Sequence, residues 1–201
     1  DAARQAGVLL MEAMWMRFLP VASTVLDLVE SGTVGEVRHI DVTFGHLANL
    51  DPDRRWMRRD LGGGSLLDLG IYPLSLIHLV AGPPTSFEAR ADLADNGVDL
   101  QTQVISAHEG GVGASMMSSF LADAANEAVI AGSEGRLRLL APFHHSGTVV
   151  VERKGEIVER HDTSYEGEGF AFEVAEMERC VTEGLVESPL RPHADTLAVL
   201  E

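Results

Sequence analysis

A carboxylate and a phenol lie four residues apart in a segment that is otherwise apolar. At about 3.6 residues per helical turn, Asp68 and Tyr72 fall on one stripe together with Ser75. A buried carboxylate needs a partner, and Pro73 disturbs a helix directly after Tyr72, so both features favour a functional site over plain packing. Such a pair could transfer a proton to or from a substrate. The alternative is that Asp68 caps a neighbouring loop and that Tyr72 lies in the core.

Three consecutive glycines, Gly62–Gly64, precede this stripe. A nucleotide-binding loop needs the spacing G-x-G-x-x-G or G-x-x-x-x-G-K-[ST] between a strand and a helix, and this sequence has neither spacing here. The glycines therefore predict a tight turn that opens the helix, with Ser65 as its N-cap. That turn would let the backbone pass close to a ligand or another chain.

Two further groups of residues could bind a substrate. Trp15 and Arg17 follow the apolar run Val8–Met11, which we predict as a strand, and precede a predicted helix. Arg55 belongs to a cluster of four arginines in the loop 53–60, where guanidinium groups could bind a carboxylate, a phosphate or a polyol. The alternatives are a core tryptophan with a surface arginine, and an arginine loop paired with nearby carboxylates.

Composition excludes several classes of function. The chain has 31 acidic and 15 basic residues and a formal charge of -16, which disfavours nucleic acid and anionic membranes as partners. Cys180 is the only cysteine, so no internal disulfide can form and a cytoplasmic location is expected. No uninterrupted apolar run approaches the roughly 18 residues of a membrane span. We predict no metal site, because the histidines lack a His-Glu-x-x-His spacing and because adjacent residues such as His144 and His145 would point in opposite directions on a strand.

The elements that must position these residues are a block of strands between helices. Helices are predicted at 20–31 and at about 169–183, the second with Phe170, Val174, Met177 and Val181 on one face. Alternating patterns predict half-buried strands near 38–44 and 87–93, followed by a hairpin at 99–120, a strand pair around 132–135 and a hairpin at 148–160. The fold class is therefore α+β, with an open, mostly antiparallel sheet and helices packed on one face. The other, weakly polar face is a candidate dimer surface.

We interpret residues 1–201 as a single substrate-binding and oligomerisation domain that is truncated at both ends. The chain opens in a helix that Gly7 ends, and it stops in a helix that begins near Pro192. Both observations predict that neighbouring elements are missing.

Several motifs together resemble a known family. They are EAMWMRFLP (12–20), Arg55, GGGSLLDLGIYP (62–73) and IAGSEG (130–135). These motifs resemble the C-terminal domain of the Gfo/Idh/MocA oxidoreductases, closest to the dihydrodiol dehydrogenase-like branch. The resemblance implies Tyr72 as the acid or base, Asp68 as the group that positions substrate or tunes the phenol, and Trp15, Arg17 and Arg55 as substrate-binding residues.

The resemblance also implies a function for the whole protein. An absent N-terminal Rossmann domain would bind NAD or NADP, and this chain would be the catalytic half of an oxidoreductase for a cyclic polyol, sugar or trans-dihydrodiol. Its open sheet face would form a homodimer or higher homo-oligomer. The family's glycine fingerprint and its Glu-Lys-Pro lysine would belong to the absent half, so this chain alone is expected to be inactive. The alternative is a non-catalytic binding or oligomerisation module of the same fold.

Overall fold

The computed structural model describes all residues from Asp1 to Glu201. The helices are α1 (Ala2–Ala6), α2 (Pro20–Glu30), α3 (Ile71–Ala81), α4 (Phe170–Thr182) and α5 (His193–Leu200). The strands are β1 (Val37–Gly45), β2 (Pro84–Leu93), β3 (Asp99–His108), β4 (Gly113–Ser119), β5 (Ala128–Gly132), β6 (Arg136–Leu139), β7 (Thr148–Arg153) and β8 (Glu156–Asp162). The predicted α+β class, the two hairpins, the strand pair and both long helices are confirmed.

All eight strands form one open sheet, in the order β2-β3-β4-β1-β5-β6-β7-β8. Every neighbouring pair is antiparallel except β1 and β4, which run parallel and join the two hairpin-built halves. The parallel pair places Ile40 opposite Ala114 and Val42 opposite Met116, and all four side chains are buried.

The hydrophobic core lies between one face of the sheet and helices α2 and α3. Val25 of α2, Leu76 of α3 and the strand residues Ile40, Ile130 and Val149 belong to one cluster of 20 buried residues. Truncating a buried Leu or Ile of this kind to alanine costs about 2–5 kcal/mol. The period-2 pattern of the strands and the 3.6-residue pattern of α2 are the sequence signals that build this core.

Two predicted features differ in the structure. Val8–Met11 forms no strand, because no other strand of the chain lies beside it; its bonds are from Val8 N to Ala3 O, from Leu10 N to Val186 O, and between the His193 ring and Leu10 O. Strand β2 is exposed along its whole length rather than half-buried, because it is the edge strand and no helix covers it fully.

The apolar face of α4 also lies outside the core. Phe170, Val174, Met177 and Val181 share one face as predicted, but their side chains are 50% to 61% exposed. The side that packs inward carries Glu176 and Cys180 instead. Helix α4 is therefore held by polar bonds and by Phe172, which packs against the core, while the four apolar side chains named above are half exposed.

One segment, Arg59–Ala81, is long and apolar enough to cross a membrane by length and composition alone. Core helices of soluble proteins pass the same criterion, and 44% of the apolar window within this segment is buried inside the fold. The segment contains two short turns as well as α3, and α3 packs on the sheet.

Glu176 holds α4 to the segment that follows it. Its carboxylate accepts bonds from Arg179 Nε and Nη2, both at 2.8 Å, from Ser188 Oγ and from the Cys180 thiol. The Arg179 bonds, with those from Ser188 and Cys180, lower the pKa of Glu176 to about 2. The folded state thus stabilises the ionised form of Glu176.

We expect Glu176→Gln to lower the free energy of unfolding at pH 7 by about 1.5–3 kcal/mol, the range for hydrogen bonds to a charged group. The unfolded carboxyl takes up its proton near pH ~4.3 and the folded one near pH 2. The contribution is therefore complete above pH ~4.3 and is lost as the pH falls towards 2. Urea unfolding at pH 7 and pH 3 measures it, with the exposed Glu178→Gln as the matched control. An equal effect of both substitutions would contradict the role of Glu176.

Candidate active site

The three glycines form a closed turn. Each backbone N–H is already bonded to a backbone carbonyl: Gly62 to Arg59 at 3.2 Å, Gly63 to Arg58 at 2.8 Å and Gly64 to Trp56 at 2.9 Å. Phosphate-binding loops need such N–H groups free. The structure thus agrees with the prediction that this stretch is a turn.

The helix after the turn is not capped by Ser65. Ser65 stands at the N-cap position but makes no side-chain cap bond, and its hydroxyl donates to Asp99 Oδ2 at 2.8 Å. The same oxygen accepts the backbone N–H of Leu66 at 2.7 Å. The prediction that the Ser65 side chain caps the helix was wrong, because the Asp99 carboxylate from β3 accepts both the Ser65 hydroxyl and the first backbone N–H of the helix.

The segment Leu66–Gly70 winds as a π-type turn before it continues as α3. Single π turns inside helices are frequent at functional sites. The helix is distorted one turn before Pro73, whose ring would clash with the carbonyl of Leu69 in regular α-winding. Gly70 lies against Met116 and Ser118 of β4, where an added Cβ would come within 2.9 Å and 3.1 Å of their side-chain atoms. The π turn containing Asp68 therefore rests directly on the sheet.

The Tyr72 hydroxyl accepts a hydrogen bond within the chain but donates none. Its Oη accepts a hydrogen bond from Trp15 Nε1 at 3.0 Å, and no side chain or carbonyl of the chain accepts the phenol's own proton. Its ring is flanked by Phe44 at 5.6 Å and His144 at 5.3 Å between centroids. Trp15 thereby fixes the direction of the phenol oxygen and leaves its proton available to a ligand.

Aromatic rings from four other segments form one connected group with Tyr72. His144 stacks on Phe44 with centroids 4.4 Å apart, and Trp15 lies 5.6 Å from His145 and 5.1 Å from Phe170. His144 and His145 lie on one turn of 3₁₀ helix, with their rings 4.6 Å apart. These two residues do not lie on a strand, so the argument from opposite directions does not apply: Phe143–His145 is a helical turn that brings both rings to Trp15.

Burial lowers the pKa of His144 to about 4, and the neighbouring His145 contributes in the same direction. His144 is therefore a neutral ring at pH 7. Its Nδ1 is buried without a partner. The environment of Tyr72 is thus aromatic and uncharged on this side.

Asp68, four residues before Tyr72, forms an ion pair with Arg55. The Asp68 side chain is 23% exposed, whereas that of Arg55 is 55% exposed, so the guanidinium group faces solvent more than its partner does. The remaining arginine cluster is divided: Arg58 pairs with Asp60, and Arg54 lies over the Trp56 ring at 5.7 Å. Arg55 is the member of the cluster that the structure brings to Asp68.

Arg17 is engaged with the C-terminal segment. It donates to the Leu190 carbonyl at 2.8 Å and to Asp195 at 3.3 Å, and only 8% of its side chain is exposed. Burial lowers the pKa of Arg17, against the opposing effect of Asp195. The structure thus bonds Trp15 to Tyr72 and Arg55 to Asp68, and Asp68 and Tyr72 lie four residues apart on consecutive helical segments, whereas Arg17 bonds to the C-terminal segment.

Sequence reasoning missed five residues around the site. They are Phe44, Asp99, His144, His145 and Phe170. They come from four separate segments, and aromatic residues make up only 5% of the chain, so no periodic pattern marks them. The Phe-His-His run was the one visible signal. No group of three His, Cys, Asp or Glu side chains comes together as a set of metal ligands.

Known proteins match the chain over nearly its whole length. Residues 23–138 match the family model described as the GFO/IDH/MocA C-terminal domain. The trans-1,2-dihydrobenzene-1,2-diol dehydrogenase of Xenopus tropicalis is 32% identical over 203 residues, which cover 96% of this chain and 60% of the relative. The protein of the same name from Bos taurus is 33% identical over 201 residues, which cover 94% of this chain and 58% of the relative.

Solved structures share the fold. The aldose-aldose oxidoreductase from Caulobacter crescentus, complexed with glycerol, has a TM-score of 0.86 at 23% identity, over 98% of this chain and 60% of that one. A 3-ketoreductase from Actinomadura kijaniata, in complex with NADP and TDP-benzene, has a TM-score of 0.80 at 26% identity, over 98% and 60%. The chain thus spans about three fifths of the length of the relatives that it matches.

We expect the His144 ring to stay neutral down to about pH 4. Because the unfolded ring takes up a proton near pH ~6.5, only the unfolded state gains charge between pH ~6.5 and 4, and stability falls by up to ~3 kcal/mol over that range. NMR of the ring nuclei, assigned with His144→Gln, gives the midpoint, and urea unfolding gives the stability. A midpoint near the unfolded value would contradict the buried, neutral state.

Proposed function

Because the chain belongs to the GFO/IDH/MocA oxidoreductase family, we propose that it is the substrate-binding and catalytic part of an NAD(P)-dependent dehydrogenase or reductase. The proposed substrate is a cyclic polyol, a sugar or a trans-dihydrodiol. The single observation that carries the proposal is the Tyr72 hydroxyl, which is oriented by Trp15 and has no acceptor for its own proton within the chain.

Tyr72 can supply the proton transfer that the oxidation of an alcohol requires from the protein. When such a carbon becomes a carbonyl, its hydroxyl proton must leave, and in the reverse reaction a proton must return to the carbonyl oxygen. The phenol oxygen of Tyr72 would hold that proton, and the Trp15 N–H would stabilise negative charge as it develops on the same oxygen. A nicotinamide cofactor, when bound, supplies the hydride chemistry.

The residues present fit only one end of such a cofactor. The uncharged aromatic wall of Trp15, Phe44 and His144 suits a planar nicotinamide or substrate ring. The chain offers no free glycine N–H groups at Gly62–Gly64 for the cofactor phosphates. We therefore propose that another domain binds most of the NAD or NADP, and that residues 1–201 alone are inactive.

The polar edge of the site would bind the substrate's hydroxyl groups. Arg55 is exposed and can donate to them, while Asp68 accepts and holds Arg55 in place. Arg17 donates through Nη2 to Leu190 and Asp195 and leaves its buried Nη1 without a partner, so we assign it the role of holding the C-terminal segment against the Trp15 turn. The names of the relatives support this substrate class, since one is a dihydrodiol dehydrogenase and another an aldose-aldose oxidoreductase.

We further propose a homodimer or higher homo-oligomer in the cytoplasm, formed through the sheet face that no helix covers. Ile105 is 58% exposed, and it lies on that face beside Ser115 of β4. Asp41 and His39 bond to the same Ser115, so the face mixes apolar and polar groups, as interfaces do. The single cysteine fits a reducing compartment.

In the full-length protein, we expect Tyr72→Phe to reduce kcat by at least about 100-fold, because the proton-transferring group is lost. Cofactor affinity should change little, since the phenol hydroxyl contributes little to binding the dinucleotide. Steady-state rates and fluorescence titration with NAD(P)H measure both quantities. Tyr165→Phe removes the only other phenol of the chain and should leave kcat unchanged.

The outcome also separates the two functions. Unchanged turnover of Tyr72→Phe would eliminate Tyr72 as the acid or base. No turnover by the unsubstituted full-length protein with any polyol, sugar or dihydrodiol, under conditions where it binds NAD(P)H, would favour the non-catalytic module.

For the oligomer, we expect Ile105→Lys to shift the protein to monomer, because a charge would be buried in the interface. Sedimentation velocity measures the state. Leu47→Lys, at a site that is 72% exposed and outside the sheet, is the control. An oligomer that is unaffected by Ile105→Lys would place the interface elsewhere.

A further inference from the structure

Asp99 is the first residue of β3, more than 30 positions from the helix that it contacts. Its Oδ2 accepts three hydrogen bonds: from Leu66 N at 2.7 Å, from Ser65 Oγ at 2.8 Å and from Thr102 Oγ1 at 2.8 Å. The first two donors belong to the beginning of the π turn. Thr102 lies on β3 and fixes the carboxylate to the sheet.

The other oxygen of Asp99 is enclosed by the glycine turn. Gly64 has φ +124°, and a Cβ at this position would lie 2.0 Å from Asp99 Oδ1. Only glycine therefore leaves room for the carboxylate. A negative charge at this place also meets the positive end of the helix that continues as α3.

We infer that Asp99 is a positioning residue for the reaction, because it fixes the start of the π turn from which Asp68 and Tyr72 project. This inference rests on the proposed function. Asp99 touches neither of these two side chains, so it acts through the backbone. The π turn is held at its beginning by Asp99 and at its end by the contact of Gly70 with β4.

The geometry defines what the loss of Asp99 would do. Without the carboxylate, Leu66 N and the buried Ser65 hydroxyl lose their shared acceptor, and the first turn is free to shift. A displacement of about 1 Å at the phenol is enough to reduce a rate by as much as ~100-fold. In the proposed function the aromatic wall of Trp15, Phe44 and His144 binds the substrate ring, and Asp99 contacts none of these side chains.

The test is a double-mutant cycle in the full-length protein. We expect Asp99→Ala to lower kcat roughly 10- to 100-fold with KM changed less than about threefold. Asp99→Asn keeps the side-chain shape and one acceptor oxygen, so it should recover part of the lost kcat. If Asp99→Ala does not fold, Asp99→Asn alone tests the positioning role. The exposed Asp95→Asn is the matched control and should be fully active.

The decisive readout is the effect of Asp99→Asn in the Tyr72→Phe background. If Asp99 acts through Tyr72, the double variant is no slower than Tyr72→Phe alone. A full additional loss in that background, or an Asp99→Asn variant as active as the unsubstituted protein, would overturn the positioning role. Full activity of Tyr72→Phe would instead contradict the proposed function itself, so the two failures are distinguishable.

Discussion

The parallel pairing of β1 with β4 is the interaction on which the rest of the structure depends. It joins β2-β3-β4 to β5-β6-β7-β8, and without it the chain would have two small sheets, neither with a complete core. Its partners are about 74 residues apart in sequence, as for Ile40 and Ala114, so the chain closes a long loop to form it. Burial of Ile40, Val42, Ala114 and Met116 under the helices offsets that entropy.

The same pairing assembles the candidate site. Phe44 lies at the end of β1 and meets Tyr72 and His144, while β4 provides the surface on which the π turn rests through Gly70. The β1–β4 pairing therefore brings Phe44 next to the helix that carries Tyr72, and the aromatic group of five segments forms around this contact. Rigid strands and a packed helix hold the phenol, and short 3₁₀ turns supply Trp15 and His144 around it.

Electrostatics in this acidic chain depend on arginine. Lys154 is the sole lysine, and the arginines pair with carboxylates at the joints between elements: Arg17 with Asp195, Arg138 with Glu127 and Arg191 with Glu12. A planar guanidinium can bond two partners at once, which suits such joints. These pairs explain why the sequence alone left the roles of the arginine loop and of Arg17 open. The same guanidinium group can pair with a carboxylate of the chain or bind a ligand. In the structure Arg55 is the arginine that pairs with Asp68.

The sequence by itself determined the elements and the central motif. Apart from Val8–Met11, which forms no strand, periods of 2 and 3.6 residues located the strands and helices to within a few residues, and the glycine-to-proline motif placed Asp68 and Tyr72 in one helical stretch, because these signals are local. Only the tertiary structure decided that Asp99 caps that helix instead of Ser65, that His144 and His145 share a turn against Trp15, and that the apolar side of α4 faces outward. These outcomes depend on contacts between residues far apart in the chain, and local periodicity carries no information about which distant side chains come into contact.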